Sequence, residues 1–324
     1  MGLKIVRTAH YVPEKIVTNN DLTAFMETSD EWISSRTGIK ERHIAQKQQT
    51  SDLGLAVGQQ LLQQADWSPQ DLDFIIVATM SPDYLTPSTA AIIQGKLQAT
   101  NAFAFDINAA CSGFIYALSV ADKILNTKVR RGMIIGAETL SKLVDWHERS
   151  TAVLFGDGAG GVLVEHDDQE QSAVIAEDLQ TFGSDGQSLT AGYQPMNSLF
   201  NNDSVDSHAH YFEMDGRAVY RFATHEVPSS IMRTLQQAKW EPGEVDWFVL
   251  HQANLRIIKS IARHLQQPET KFLTNVAHFG NTSAASVPIL LDEAVNNQQI
   301  DRGQKLILSG FGGGLTAGSI ALIY

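Results

Sequence analysis

The chain has 324 residues, 43% of them apolar and 19% charged, which is ample for a sizeable core and long for a single one, so two domains or a duplicated one is expected. A net charge of −12 excludes a general nucleic-acid binder, whose phosphate contacts need a basic surface. One cysteine excludes an intramolecular disulfide framework and reads as a reducing, cytoplasmic setting, and no apolar run approaches the ~20 residues of a membrane span.

In chain order, Met1-Gly2-Leu3-Lys4-Ile5-Val6 begins as a strand and lacks the apolar stretch of a signal peptide. Leu62-Gln63-Gln64-Ala65-Asp66-Trp67-Ser68-Pro69 then reads as a helix end and turn, and Leu72-Asp73-Phe74-Ile75-Ile76-Val77 as a strand buried on both faces. Phe103-Ala104-Phe105-Asp106-Ile107-Asn108 is a further predicted strand, and Phe114 to Leu125 has helical spacing. Phe155-Gly156-Asp157-Gly158-Ala159-Gly160-Gly161 lacks the Lys-Ser/Thr ending of a nucleotide loop and reads as a hairpin turn between strands. Residues 181–217 are rich in Gly, Asn, Asp and Ser, the composition of a functional or mobile loop; its His208 and His210 form a His-x-His pair, but no Cys or carboxylate spacing makes that pair a metal site.

The helix-end segment returns as Leu235-Gln236-Gln237-Ala238-Lys239-Trp240-Glu241-Pro242, with Trp240 lying 173 residues after Trp67. At that offset Val245-Asp246-Trp247-Phe248-Val249-Leu250 matches the strand at 72–77, and Leu306-Ile307-Leu308-Ser309 matches Met133-Ile134-Ile135-Gly136. Such a period is too long for a solenoid and fits two tandem α/β halves, 1–170 and 171–324, with mainly parallel or mixed sheets.

Cys111 falls where the strand 103–108 turns into a helix, among small residues that permit a sharp turn. Free N–H groups and the helix dipole would favour a thiolate there and could hold a developing oxyanion. Locally, a buried structural cysteine is an equally good reading. The repeat adds partners: Cys111 falls opposite the segment His278 to Ser286, and the strand ending at Ala78 falls opposite the one ending at His251. If the halves pack about a pseudo-twofold axis, Cys111, His251 and Asn281 share one cleft, a workable acyl-transfer set.

Five segments occur in order: Thr28-Ser29-Asp30-Glu31-Trp32 with Arg36-Thr37-Gly38-Ile39; Ala110-Cys111-Ser112-Gly113-Phe114; His251-Gln252-Ala253-Asn254-Leu255-Arg256; Gly280-Asn281-Thr282-Ser283-Ala284-Ala285-Ser286; and Gly310-Phe311-Gly312-Gly313-Gly314. Together they resemble β-ketoacyl-acyl carrier protein synthase III, from about residue 4 to the C-terminus. The resemblance implies a thiolase-like fold of two duplicated α/β halves, with mixed sheets packed around central helices. It implies that Cys111 takes a short acyl group from acyl-CoA, and that malonyl-acyl carrier protein is decarboxylated and condensed onto it. His251 and Asn281 would donate hydrogen bonds to the malonyl thioester oxygen as enolate charge builds, and the N–H groups of Cys111 and Gly313 would form the oxyanion hole. The CoA thioester is a substrate, and no metal or redox cofactor is required.

By the same resemblance Thr28, Trp32, Arg36, Arg149, Gly216 and Asn254 contact CoA, with Trp32 offering an adenine a flat surface. The segment Gln252, Ala253, Asn254, Leu255 and Arg256, with Arg221, Lys259 and Arg263, would dock the acidic carrier protein. Thr86 and Phe311 would shape the acyl pocket, Thr86 reaching it from the second subunit of a homodimer. Where some members carry a bulky aromatic, Thr86 leaves room for longer or branched primers. Rival readings are a priming enzyme of another pathway, a Cys-His thioesterase, and a non-catalytic binding protein.

Overall fold

The computed structural model describes residues 2–168, 172–196 and 210–324. The main strands are β1 (Gly2–Tyr11), β2 (Phe74–Ala78), β3 (Phe103–Ile107), β4 (Arg131–Glu138), β5 (Gly158–Asp167), β6 (Val174–Thr181), β7 (Trp247–Leu250), β8 (Lys305–Gly312) and β9 (Thr316–Ile323). The main helices are α1 (Asp30–Thr37), α2 (Thr50–Ala65), α3 (Thr89–Leu97), α4 (Gly113–Ile124), α5 (Gly216–Ala238), α6 (Leu255–His264) and α7 (Ser286–Asn296). One mixed sheet runs β1-β5-β4-β2-β3 and the other β6-β9-β8-β7. In the first sheet β3, β2 and β4 run parallel, with β5 and β1 added antiparallel; in the second β7 and β8 run parallel, with β9 and β6 added antiparallel.

The apolar runs become strands because both faces of each sheet are covered. Phe74 and Ile76 point to α4 and α7, which lie between the sheets, while Ile75 and Val77 meet α2 and α3. In the second sheet Leu306 and Leu308 face the central helices, and Phe248 and Ile307 face α5 and α6. The result is five layers, helix–sheet–helix–sheet–helix. Each fully buried Phe, such as Phe74, Phe114 or Phe248, contributes about 1.5–3 kcal/mol.

The recurring segment has a local physical cause. Asp66 and Lys239 end α2 and α5 in the left-handed conformation, at φ 54° and 58°. Pro69 and Pro242 then open a one-turn 3-10 helix with a reciprocal cap, Ser68 with Asp71 and Glu241 with Glu244. Trp67 and Trp240 are each covered by the cation that starts the parallel partner strand, Arg131 at 4.4 Å and Lys305 at 4.9 Å. The parallel register slips one residue between the halves, Phe74 meeting Gly132 while Trp247 meets Leu306. Where the first half places edge strand β3, the second has one helical turn, Val276–Phe279.

The Gly-rich segment is not a hairpin turn. Gly160 and Gly161 lie inside β5, paired on both sides, Gly158 starts that strand opposite Glu138, and a short helix, Arg149–Ala152, precedes it. Gly160 admits the central helix: a Cβ there would lie 2.6 Å from the Ile289 nitrogen and 2.8 Å from the Pro288 carbonyl carbon. Gly160→Ala is therefore expected to lower stability by about 1–3 kcal/mol in urea unfolding. An unchanged midpoint would mean that α7 does not need this approach.

Candidate active site

Cys111 sits in a tight turn that both halves share. After β3, the Asn108 Oδ1 accepts the Ala110 N–H at 3.2 Å, Ala110 takes φ +45°, and a 3-10 turn over Ala110–Ser112 leads into α4. In the second half the Asn281 Oδ1 accepts the Ser283 N–H at 2.8 Å, Ser283 takes φ +47°, and a turn over Ser283–Ala285 leads into α7. A left-handed residue other than glycine costs about 1–2 kcal/mol, so the side-chain cap that fixes each turn has a clear function. Cys111 thus takes the position that Ala284 takes in the other copy.

Cys111, His251 and Asn281 all line one cavity, together with Phe311 and Gly313. His251 follows β7, and its Nδ1 lies 2.6 Å from the Ser286 Oγ at the start of α7. That hydroxyl also accepts the Gln252 N–H at 3.4 Å, so its own proton can go to Nδ1 and leave Nε2–H as the imidazole's free donor. Burial holds His251 neutral, with its pKa pushed down to about 3, and its ring meets Phe311 edge-on at 5.2 Å. The Ser283 N–H fixes Oδ1 of Asn281, which orients the NH₂ end as the amide's remaining donor.

The thiol differs from expectation. Cys111 is buried, and burial pushes its pKa up to about 12, helped by the nearby Glu138 charge and opposed by the Ser283 hydroxyl. Desolvation outweighs the local polarity of the turn, so the resting group is a thiol. The glycine requirement also falls elsewhere than at Gly313: a Cβ there would meet its nearest atom at 3.4 Å, whereas one at Gly312 would lie 2.7 Å from the Cys111 nitrogen.

Of the positions expected to contact CoA, Trp32, Arg36 and Arg149 form one cluster, each guanidinium 4.5 Å from the indole ring centre. Trp32 is half-buried. Ser29 caps α1 through the Trp32 N–H, and Gly38 ends it at φ 82°, explaining the local motif. Thr28 carries a buried hydroxyl without a hydrogen-bond partner. Asn254 lines the cavity, caps α6 and donates to the Arg36 carbonyl at 3.2 Å, linking the cluster to the cavity mouth. Gly216 is also on the lining.

The expected docking segment needs correction. Gln252 is buried, its amide nitrogen donating to the carbonyls of Leu250 and Leu273 and its oxygen accepting the Asn275 N–H. It is a strut, since a residue so enclosed cannot meet a protein surface. Ala253 lines the cavity and Leu255 packs against Gly38. Arg221, Arg256, Lys259 and Arg263 are exposed on α5 and α6, which pack together. Thr86 is exposed and does not line the Cys111 cavity, unlike Phe311. In the loop, Leu189, Ala191 and Phe212 form part of the cavity wall; His208 lies outside the described residues, and His210 meets Tyr211 edge-on at 5.7 Å.

Sequence reasoning missed three residues: Ser286, which holds His251, and Ser283 and Glu138, which lie beneath Cys111. A carboxylate ending the apolar run Met133-Ile134-Ile135-Gly136-Ala137-Glu138 was the available signal.

Comparison with known proteins gives a consistent result. The family model described as 3-oxoacyl-[acyl-carrier-protein (ACP)] synthase III matches residues 105–183, and the model of its C-terminal part matches 235–324. A β-ketoacyl-[acyl-carrier-protein] synthase III of Oenococcus oeni is 53% identical over 323 residues, spanning 99% of both chains. One from Streptococcus equi subsp. equi is 52% identical over 321 residues, 98% of both. The crystal structure of 3-oxoacyl-[acyl-carrier-protein] synthase III from Aquifex aeolicus superposes with a TM-score of 0.92 at 41% identity, covering 100% of each chain.

Proposed function

The chain belongs to the 3-oxoacyl-[acyl-carrier-protein] synthase III family, and from that premise we propose how its own residues divide the work of condensing an acyl-CoA with malonyl-acyl carrier protein. Cys111 accepts a short acyl group, acetyl being the expected primer, and CoA leaves. His251 Nε2–H and the Asn281 amide then donate to the malonyl thioester oxygen while carbon dioxide departs. Two neutral donors suit that step, because they stabilise developing negative charge without carrying charge themselves. The carbanion attacks the acyl-Cys111 carbonyl, whose oxygen is met by the backbone N–H groups of Cys111 and Gly313. The observation that carries this reading is the convergence of Cys111, His251 and Asn281 on one cavity, the last two with their donor ends left free by Ser286 and Ser283.

The direct test is incubation with acetyl-CoA followed by peptide mass mapping. An acetyl mass on the Cys111 peptide is expected; an unmodified peptide would overturn the covalent route. A donor series of increasing chain length then reads the primer preference to which Thr86 and Phe311 are assigned. Parallel assays with malonyl-carrier protein and malonyl-CoA read the acceptor.

We assign the CoA adenine end to the cluster of Trp32, Arg36 and Arg149, with Thr28, Gly216 and Asn254 along the path inward. The exposed Arg221, Arg256, Lys259 and Arg263 receive the acidic carrier protein. Arg256→Glu should raise KM for malonyl-carrier protein about tenfold, through slower association, while acylation by acetyl-CoA stays unchanged. The effect should shrink at high salt; a loss independent of salt would count against docking. The two-half division near residue 170 is supported by the strands of each sheet lying wholly on one side of that point. A homodimer is proposed to bring the partner's Thr86 to the pocket. A cytoplasmic setting accords with the single free cysteine, and among the described residues no helix is long and apolar enough to cross a membrane.

A further inference from the structure

The reaction leaves one step without an agent. When Cys111 attacks a thioester its proton must leave the sulfur, and His251, the obvious base, is held neutral with its pKa near 3. Its Nδ1 is already tied to Ser286. A second acceptor lies beneath the nucleophile.

Glu138 ends β4 with no exposed surface. Its carboxylate accepts from the Thr79 hydroxyl at 3.1 Å, the Met80 N–H at 3.2 Å, the Ser81 N–H at 3.1 Å and the Ser81 hydroxyl at 2.5 Å. The turn over Ser283–Ala285 packs both on β4 and on the turn that carries Cys111, and its Ser283 hydroxyl is buried, lines the cavity and acts on the thiol and the carboxyl alike. That hydroxyl makes no hydrogen bond of ordinary geometry. An unsatisfied buried hydroxyl acting on both a thiol and a carboxylate is an unusual arrangement, and its cost suggests a use. The left-handed backbone of Ser283 and its N–H bond to Asn281 hold it in place.

We infer that Glu138 is the proton store of Cys111, exchanging the thiol proton through the Ser283 hydroxyl. The inference rests on Cys111 being the acyl acceptor. In the first half-reaction the thiol proton passes to the Ser283 oxygen as the Ser283 proton passes to the Glu138 carboxylate. The sulfur electron pair forms the new C–S bond, the C–S bond to CoA breaks, and the CoA thiolate takes its proton from water. In the second half-reaction the malonyl C–C bond breaks, and its electron pair bonds the acyl carbon. Cys111 leaves as thiolate and recovers the stored proton from Glu138, so the chain returns to its starting state. Burial, opposed by the four donors, raises the Glu138 pKa to about 7, within reach of both forms at neutral pH. Its charge acts on Lys142, which is held on the Ser81 and Pro82 carbonyls at 2.8 and 2.9 Å and also feels Asp83 and Asp157.

The test exploits an opposition of sign. A carboxylate acting only as a fixed charge hinders thiolate formation, so its neutralisation should speed Cys111. A proton store predicts the reverse. Single-turnover acetylation by acetyl-CoA, and alkylation by iodoacetamide, which needs no substrate recognition, are followed across the neutral pH range. Wild type should accelerate as pH rises and level off above the Glu138 titration. Glu138→Gln should lose that levelling, its rate climbing steadily with the thiolate fraction, and should acetylate about a hundredfold more slowly at neutral pH. Glu138→Asp should recover the levelling, and Ser283→Ala should behave as Glu138→Gln. Unchanged or faster reaction in Glu138→Gln overturns the inference. If that variant fails to fold, Ser283→Ala decides, an unaltered pH profile being the adverse result. Absence of acetyl on wild-type Cys111 would instead sink the underlying acyl-transfer reading, while the alkylation profiles still decide the proton store.

Discussion

Cys111→Ala is expected to reduce condensation by at least about four orders of magnitude, because the chain holds no second thiol to carry the acyl group between the two substrates. Among the described residues the lining hydroxyls, that of Ser283 included, are far weaker nucleophiles and leaving groups than a thiol. Decarboxylation of malonyl-carrier protein without condensation should persist in the same variant, since His251 keeps Ser286 and Asn281 keeps Ser283. Product assays and carbon dioxide release, measured on one preparation, separate the two outcomes. Condensation above about one part in a thousand of wild type would require another acyl carrier. Loss of both activities together would show that the thiol also serves the malonyl step.

Asn281→Asp is the complementary experiment. The substitution is nearly isosteric, and Asp keeps an oxygen to accept the Ser283 N–H, so the turn into α7 should survive. What changes is the other end of the group: a donor becomes an oxygen carrying negative charge where enolate charge must develop. Decarboxylation should fall by about 10²–10³, the scale on which one oxyanion donor is lost. Acetylation of Cys111 should change by less than about tenfold, because carbonyl attack there is assigned to backbone N–H groups. Equal loss of the two steps, measured by carbon dioxide release and by acetyl mass on Cys111, would contradict the assignment.

Much of the architecture was legible because it rests on local rules applied twice. Strands buried on both faces read as unbroken apolar runs, and the Trp-x-Pro segment repeats because each copy must end a helix in the left-handed region before entering a strand. The same repeat sets His251 and Asn281 on strand ends and turns that correspond to those flanking Cys111. What escaped notice depends on contacts between segments distant in sequence. The glycines of β5 read as a turn because the helix that requires Gly160, α7, lies more than a hundred residues away. Gln252 read as surface because its polarity was visible, whereas the carbonyls that satisfy it were not. The thiol read as ionised because a helix start is local and desolvation is a property of the whole fold. Glu138 and Ser283 went unread for the same reason.

The twofold correspondence of the turns has a last consequence, for stoichiometry. A duplicated scaffold offers two places for chemistry, and here the second is packed shut. Opposite Cys111 stands Ala284, and opposite the pair His251 and Ser286 stand Ala78 and Gly113, so close that a Cβ on Gly113 would lie 3.1 Å from the Ala78 methyl. One copy holds the proposed carrier and the other the proposed donors, and small side chains fill the counterpart positions. A chain built as two similar halves is therefore expected to bear a single acyl group when fully loaded.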